Sequence, residues 1–204
     1  YTFMSYDDAK GLKSALFDGA KVLIVGAGLI GLKAAEAMQH MDVKMTVIDL
    51  ADRILPSILD VEASKIMQSY IESKGVKFML NTSVAKFEKN SATLKTGETV
   101  EFDVLILAVG VRPNTELVSD AGGKVNRGIV TDLTQLTTIK DVYAAGDCTE
   151  SHDITTDTDK ILALLPNAFM QGEIAGKNMA GKTFYYLNAI PMNAIGFFGL
   201  HIIT

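Results

Sequence analysis

The sequence has 204 residues, 48% hydrophobic and 21% charged, with a formal net charge of −5. That is the balance of a globular chain rather than a disordered one, and an acidic chain with no Lys/Arg run argues against nucleic acid or an anionic membrane as partner. No apolar run approaches the about 18 residues needed to span a bilayer, and the start, YTFMSYDDAK, has neither the basic nor the apolar part of a secretion signal.

In chain order, Leu12, Ala15 and Leu16 recur at helical spacing and predict a helix over 7–18, ended by Gly19. A buried strand follows over 21–25, then a helix over 28–41 with Leu29, Leu32, Ala35 and Met38 along one stripe, and a second strand over 44–48. Residues 60–74 predict an amphipathic helix with Val61, Ile66, Met67, Tyr70 and Ile71 inward and Gly75 as C-cap, followed by a strand over 76–80. From 83 to 103 the period shifts to two, as in a meander of half-exposed strands. The run VLILAVG (104–110) is apolar throughout and reads as a buried central strand. VRPNTEL reads as a loop, GIVTD and DVYAAGD as short strands, and the polar stretch 149–160 as a surface loop. A helix over 163–180 closes at Gly181, and PMNAIGFFGLHIIT opens a new β-rich unit.

The first strand runs into Gly-x-Gly-x-x-Gly, residues Gly26, Ala27, Gly28, Leu29, Ile30 and Gly31. Gly26 permits a tight turn, Gly28 lets a pyrophosphate approach the backbone, and Gly31 lets helix and strand lie close. Free N–H groups and the helix dipole then face the phosphates. Glycine-rich turns also arise for purely steric reasons; the flanking strand and helix, and the acid ending the second strand, favour a dinucleotide. That acid is Asp49, 21 residues after Gly28, close to the offset of about 20 seen in such sites. A carboxylate there accepts from ribose hydroxyls and repels a 2′-phosphate, so NAD(H) is expected over NADP(H). Arg53 is the side chain that would meet a 2′-phosphate, and Asp49 outweighs it.

Small residues ending VLILAVG at Gly110 leave room for a ligand at a strand's carboxyl end, or simply pack a central strand. DVYAAGD ends in Gly146-Asp147, where a ligand can pass close and a carboxylate can bind sugar-like hydroxyls; a plain Gly-Asp turn has the same letters. Cys148 is the only cysteine, so the chain has no internal disulfide and no redox CxxC pair, and a reducing cytoplasm is expected. His40, His152 and His201 lack zinc-site spacing, and no metal is expected.

In that order, GAGLIG, VLILAVGVRPNTEL, TTIKDVYAAGD and NAFMQGEIAGKNMAG resemble the FAD-dependent pyridine nucleotide–disulfide oxidoreductase family, most closely its NADH oxidase/peroxidase and nitrite-reductase flavoprotein branches. The resemblance covers essentially the whole chain. It implies an α/β fold: a Rossmann-like three-layer NAD(H)-binding domain with a β-meander over 1–125, the C-terminal part of an FAD-binding domain over 126–190, and the start of an interface domain over 191–204. It also implies that Asp147 binds the ribityl chain of FAD and that a helix beginning near Ala163, Leu164 and Leu165 points its N-terminus at the flavin. The family carries two GxGxxG motifs, and the distance from Gly26 to Asp147 fits the second. The chain is therefore expected to be a piece lacking the N-terminal FAD-binding half.

The function so implied is part of an FAD-dependent NADH oxidoreductase, passing hydride from NADH to flavin and on to an acceptor the motifs do not identify. The isolated piece is expected to bind NAD(H), to hold FAD weakly or not at all, to lack turnover and to self-associate through unpartnered strands. A flavin-free dehydrogenase is a third reading, against which the Gly-Asp motif speaks. No catalytic acid or base is assigned. One departure stands out: the family often has a glutamate beside the nicotinamide, two residues after the last glycine. This chain has Lys33 there, which cannot accept a hydrogen bond.

Overall fold

A computed structural model describes residues 1–187 and 189–204. The chain forms two compact units, one of Tyr1–Gly110 with Ala194–Thr204, the other of Val111–Asn193. The division falls at Gly110, ahead of the boundary read at 125, and the last residues join the first unit.

The first unit runs α1 (Tyr6–Ala15), β1 (Ala20–Val25), α2 (Leu29–Ala37), β2 (Val43–Ile48), α3 (Val61–Glu72), β3 (Lys77–Met79), β4 (Val84–Phe87), β5 (Ser91–Leu94), β6 (Thr99–Glu101) and β7 (Val104–Leu107). Strands β3-β2-β1-β7 form one parallel sheet in that order, and β4-β5-β6 form an antiparallel meander. Side chains alternate across the sheet. Val22, Ile24, Val104 and Ile106 share a core with Leu32, Ala35, Met67 and Ile71 of the helices, while Leu23 and Leu105 pack with Ala92, Leu94 and Phe102 of the meander. The layers are helices, sheet and meander, as expected. Burial on both faces explains why β1 and β7 read as continuous apolar runs. It also corrects one expectation: β7 is the outer strand of its sheet, not a central one. Its apolar run reports two covered faces and says nothing about its edges.

Two helix starts in this unit are capped by side chains. The Asp60 carboxylate accepts from Ala63 N at 2.8 Å, and Ser5 and Asp8 form a reciprocal capping box at α1.

The second unit holds α4 (Glu116–Asp120), β8 (Ile129–Val130), β9 (Thr149–Asp153), β10 (Thr158–Lys160) and α5 (Leu165–Met179), with strand order β10-β9-β8. Three expectations are corrected here. VRPNTEL enters a short helix, α4, whose one buried residue is Val118. DVYAAGD is no strand: only Tyr143 bridges Leu136, and a strand needs a ladder partner along its length. The stretch 149–160 is an antiparallel hairpin rather than a surface loop. Its inward residues are Thr149, Ser151 and Asp153, all buried and all polar, so no apolar alternation betrayed it. Asp153 takes donors from Lys160, Thr155 and Thr156. Burial alone would raise its carboxyl; these donors outweigh it and hold the group well below the usual carboxylate range.

The last strands, β11 (Ala194–Phe197) and β12 (Leu200–Ile203), form a two-stranded hairpin within the first unit. Among the described residues no helix is long and apolar enough to cross a membrane.

Candidate functional site

The glycine loop joins β1 to α2 at the carboxyl end of the parallel sheet, where such sheets open a crevice. Its three glycines are needed for different reasons. Gly26 has φ +114°, and a Cβ on it would overlap the Ala108 carbonyl beyond β7. A Cβ on Gly31 would overlap the Gly26 carbonyl, so that glycine sets how closely α2 lies on β1. Gly28 differs: its φ is −85°, and a Cβ there would meet nothing within 4 Å. The fold does not require a glycine at 28, whereas a ligand lying against the backbone does. Gly28 is also the N-cap of α2 and makes no side-chain cap bond, so the helix start offers its N–H groups outward.

Asp49 follows β2 and reaches back to this loop. Its Oδ2 accepts from Ala27 N at 2.6 Å and its Oδ1 from Ala51 N at 2.8 Å. The Ala27 carbonyl in turn accepts from Leu55 N at 3.0 Å. Ala27 is fully buried and clamped at both ends of its peptide, so it shapes the loop and its N–H is already taken. Each carboxylate oxygen has a second lone pair, so Asp49 can still accept from a ribose hydroxyl. Leu29 and Ile30 are half-buried in the first turn of α2. Arg53 donates from Nη1 to Asp52 Oδ1 at 2.9 Å, while its buried Nε has no hydrogen-bond partner among the described residues.

Gly110 ends the first unit at φ +105° and is exposed. The remaining predicted residues belong to the second unit. Gly146 has φ +87°, and its N–H donates to Gln171 Oε1 at 2.5 Å, which ties the turn to α5. The same amide receives the Thr149 hydroxyl at 3.3 Å and donates to Ser151 Oγ. Asp147 stands exposed beside this pinned turn. Ala163 precedes α5, Leu164 is its N-cap without a side-chain bond, and Leu165 begins it. The turn packs on the first half of α5, where a Cβ on Gly146 would stand 3.5 Å from Ala168 Cβ. Cys148 donates weakly to Ala145 O, and burial pushes its thiol up, the opposite of an activated nucleophile. Among the described residues no group of three or more His, Cys, Asp or Glu could hold a metal.

Sequence reasoning missed the Ala27 clamp by Leu55 and the role of Gln171. The second had a visible signal: Gln171 lies inside the NAFMQGEIAGKNMAG motif, at the centre of the α5 face turned to the Gly146 turn.

Comparison with known proteins gives a consistent picture. A family described as pyridine nucleotide-disulphide oxidoreductase matches residues 1–172. The chain is 30% identical over 210 residues to the NADH-dependent phenylglyoxylate dehydrogenase subunit epsilon of Aromatoleum evansii, covering 100% of this chain and 50% of that protein. It is 38% identical over 182 residues to an NADH oxidase of Methanocaldococcus jannaschii, covering 86% of this chain and 41% of the oxidase. Among solved structures, an NAD-dependent persulfide reductase from A. fulgidus superposes with a TM-score of 0.91 at 31% identity, over 97% of this chain and 38% of that one. The chain thus spans half the length, or less, of these relatives. With the family match over most of its residues, the chain belongs to the pyridine nucleotide-disulphide oxidoreductases.

Proposed function

We propose that the first unit binds NADH, with the diphosphate at Gly26–Gly31 and the adenosine ribose on Asp49, and that in the whole protein this nucleotide reduces a flavin held partly by the second unit. The observation that carries the reading is Gly28, which is open where a Cβ would stand and heads an uncapped helix. The NADH-dependent names of the relatives support it. NADH is preferred over NADPH, because the Asp49 carboxylate repels a 2′-phosphate. A flavin supplies the electron-accepting ring when bound; Asp147 would hold its sugar-like chain, and the start of α5 at Leu164 and Leu165 would face its electron-rich edge. On this reading the first unit, Tyr1–Gly110 with Ala194–Thr204, serves the nicotinamide nucleotide, and residues 126–190 within the second unit help to hold the flavin, in a cytoplasmic enzyme.

A second reading concerns the 204-residue chain by itself. It spans half the length or less of its relatives, which favours nucleotide binding without turnover. Leu165 and Phe169, one turn apart on α5, are 84% and 73% exposed, which supports self-association of the isolated chain. Titrating the purified chain with NADH and with NADPH tests both readings, together with its visible flavin absorbance. Saturable NADH binding by a colourless protein supports the module reading; retained flavin reducible by NADH supports the enzyme reading; binding of neither nucleotide removes the proposal.

A further inference from the structure

Lys33 departs from the family's usual residue, and the structure gives it a partner elsewhere in the chain. Its ammonium donates to the Gly196 carbonyl at 2.6 Å, pairs with Glu36 Oε2 at 2.6 Å and stands 5.2 Å from the centre of the Phe197 ring. The other carboxylate oxygen of Glu36 accepts from Phe198 N at 2.8 Å. From α3, the Tyr70 hydroxyl donates to Phe198 O at 2.9 Å. Three backbone groups at the tip of the β11–β12 hairpin are therefore each taken by a side chain of the helical layer.

The tip is also the strained and buried part of the hairpin. Phe198 has φ +53°, in a region that bulky side chains rarely adopt, and Gly199 follows at φ +91° in the two-residue connection. Phe197 and Phe198 are buried in the core that holds α2 and α3, and Ile195, Leu200 and Ile202 pack against it. A Cβ on Gly196 would meet the exposed His201 ring across the hairpin. Apolar burial drives the hairpin onto the helices, but it is non-directional. The hydrogen bonds from Lys33, Glu36 and Tyr70 select one register and hold the left-handed Phe198 in place. An exposed i,i+3 ion pair by itself contributes little. Here each partner bonds the hairpin as well as the other.

We propose that Lys33 and Glu36 are positioning residues that clasp segment 194–203 onto the nucleotide-binding helix α2, and that Lys33 is spent on this clasp instead of on the nicotinamide. The hairpin is then a built-in part of the dinucleotide unit. The inference does not depend on which nucleotide binds.

Hydrogen exchange of the full chain without nucleotide, read on peptides covering 194–203, tests it. Lys33→Ala should speed exchange at Phe197 and Phe198 about tenfold, the scale of a lost bond to a charged group. Lys33→Arg, which can still donate to both acceptors, should restore protection. Tyr70→Phe keeps the ring, removes one bond to the same tip and should speed exchange there too, which serves if Lys33→Ala folds poorly. Unchanged protection in both Lys33→Ala and Tyr70→Phe overturns the clasp. So does a large loss of NADH affinity in Lys33→Ala with the hairpin still protected, since that assigns Lys33 to the nucleotide.

Discussion

The Asp49 carboxylate accepts a 2.6 Å hydrogen bond from the Ala27 N–H, so the acid that ends β2 holds the glycine loop that follows β1. Asp49 therefore shapes the loop and, on the proposed reading, also presents lone pairs to a ribose. Asp49→Ser should weaken NADH binding, narrow the preference over NADPH and lower the stability of the first unit by about 1.5–3 kcal/mol, the range for bonds to a charged group. Parallel denaturant melts and titrations with both nucleotides check this. Unchanged affinity for both would remove Asp49 from the site.

The glycines make a contrast. Gly26→Ala places a Cβ on the Ala108 carbonyl at a positive φ, and should cost at least about 2 kcal/mol whether or not nucleotide is present. Its melting curve tests whether this glycine is a requirement of the fold.

Much of this site was legible because it is local. Strand, glycines, helix and acid lie within 20–49, and each reads from spacing alone. The elements within Tyr1–Gly110 were similarly legible, because the strands are apolar on both faces or alternate and the helices carry stripes; but Val61 and Ile66 of α3, read as inward, are exposed, and the place of Ala194–Thr204 in this unit was not read. Two kinds of feature escaped. The β9–β10 hairpin buries Thr149, Ser151 and Asp153, so hydropathy shows a polar loop where hydrogen bonding builds a strand. The position of β7 at the sheet's edge depends on pairing, which an apolar run does not encode. Lys33 escaped for a third reason: its partners at Gly196 and in the Phe198 turn lie at the far end of the sequence.

Gln171 should prove a main support of the second unit. It is buried and bonded to Gly146 N, Thr149 Oγ1 and Ser151 Oγ. Gln171→Ala leaves those groups short of partners and should cost about 1–3 kcal/mol, with faster exchange at Gly146 and Thr149. A melt and exchange pattern like the parent's would show that the Gly-Asp turn holds itself.

Acid stability carries a signature of α1. The Asp8 carboxyl is lowered from the usual 3.8 to about 2, chiefly by the Thr2 hydroxyl and then by the N–H groups of Met4 and Ser5. A carboxyl lowered by folding contributes stability that is fully present above the usual 3.8 and is lost as pH falls through about 2. Asp8→Asn should therefore be less stable than the parent at neutral pH, and the gap should close in acid. Urea melts across that range check it; a gap independent of pH would contradict it.

The central claim is that the loop at Gly28 receives the nucleotide diphosphate, and Gly28→Ala tests it most directly. A Cβ there meets nothing in the protein, so stability should fall by no more than about 1 kcal/mol, the difference between glycine and alanine at an N-cap. NADH affinity, read by fluorescence titration, should fall at least about tenfold, because the methyl group occupies the line of approach to the backbone. Parent-like NADH affinity in a folded Gly28→Ala variant would contradict the account.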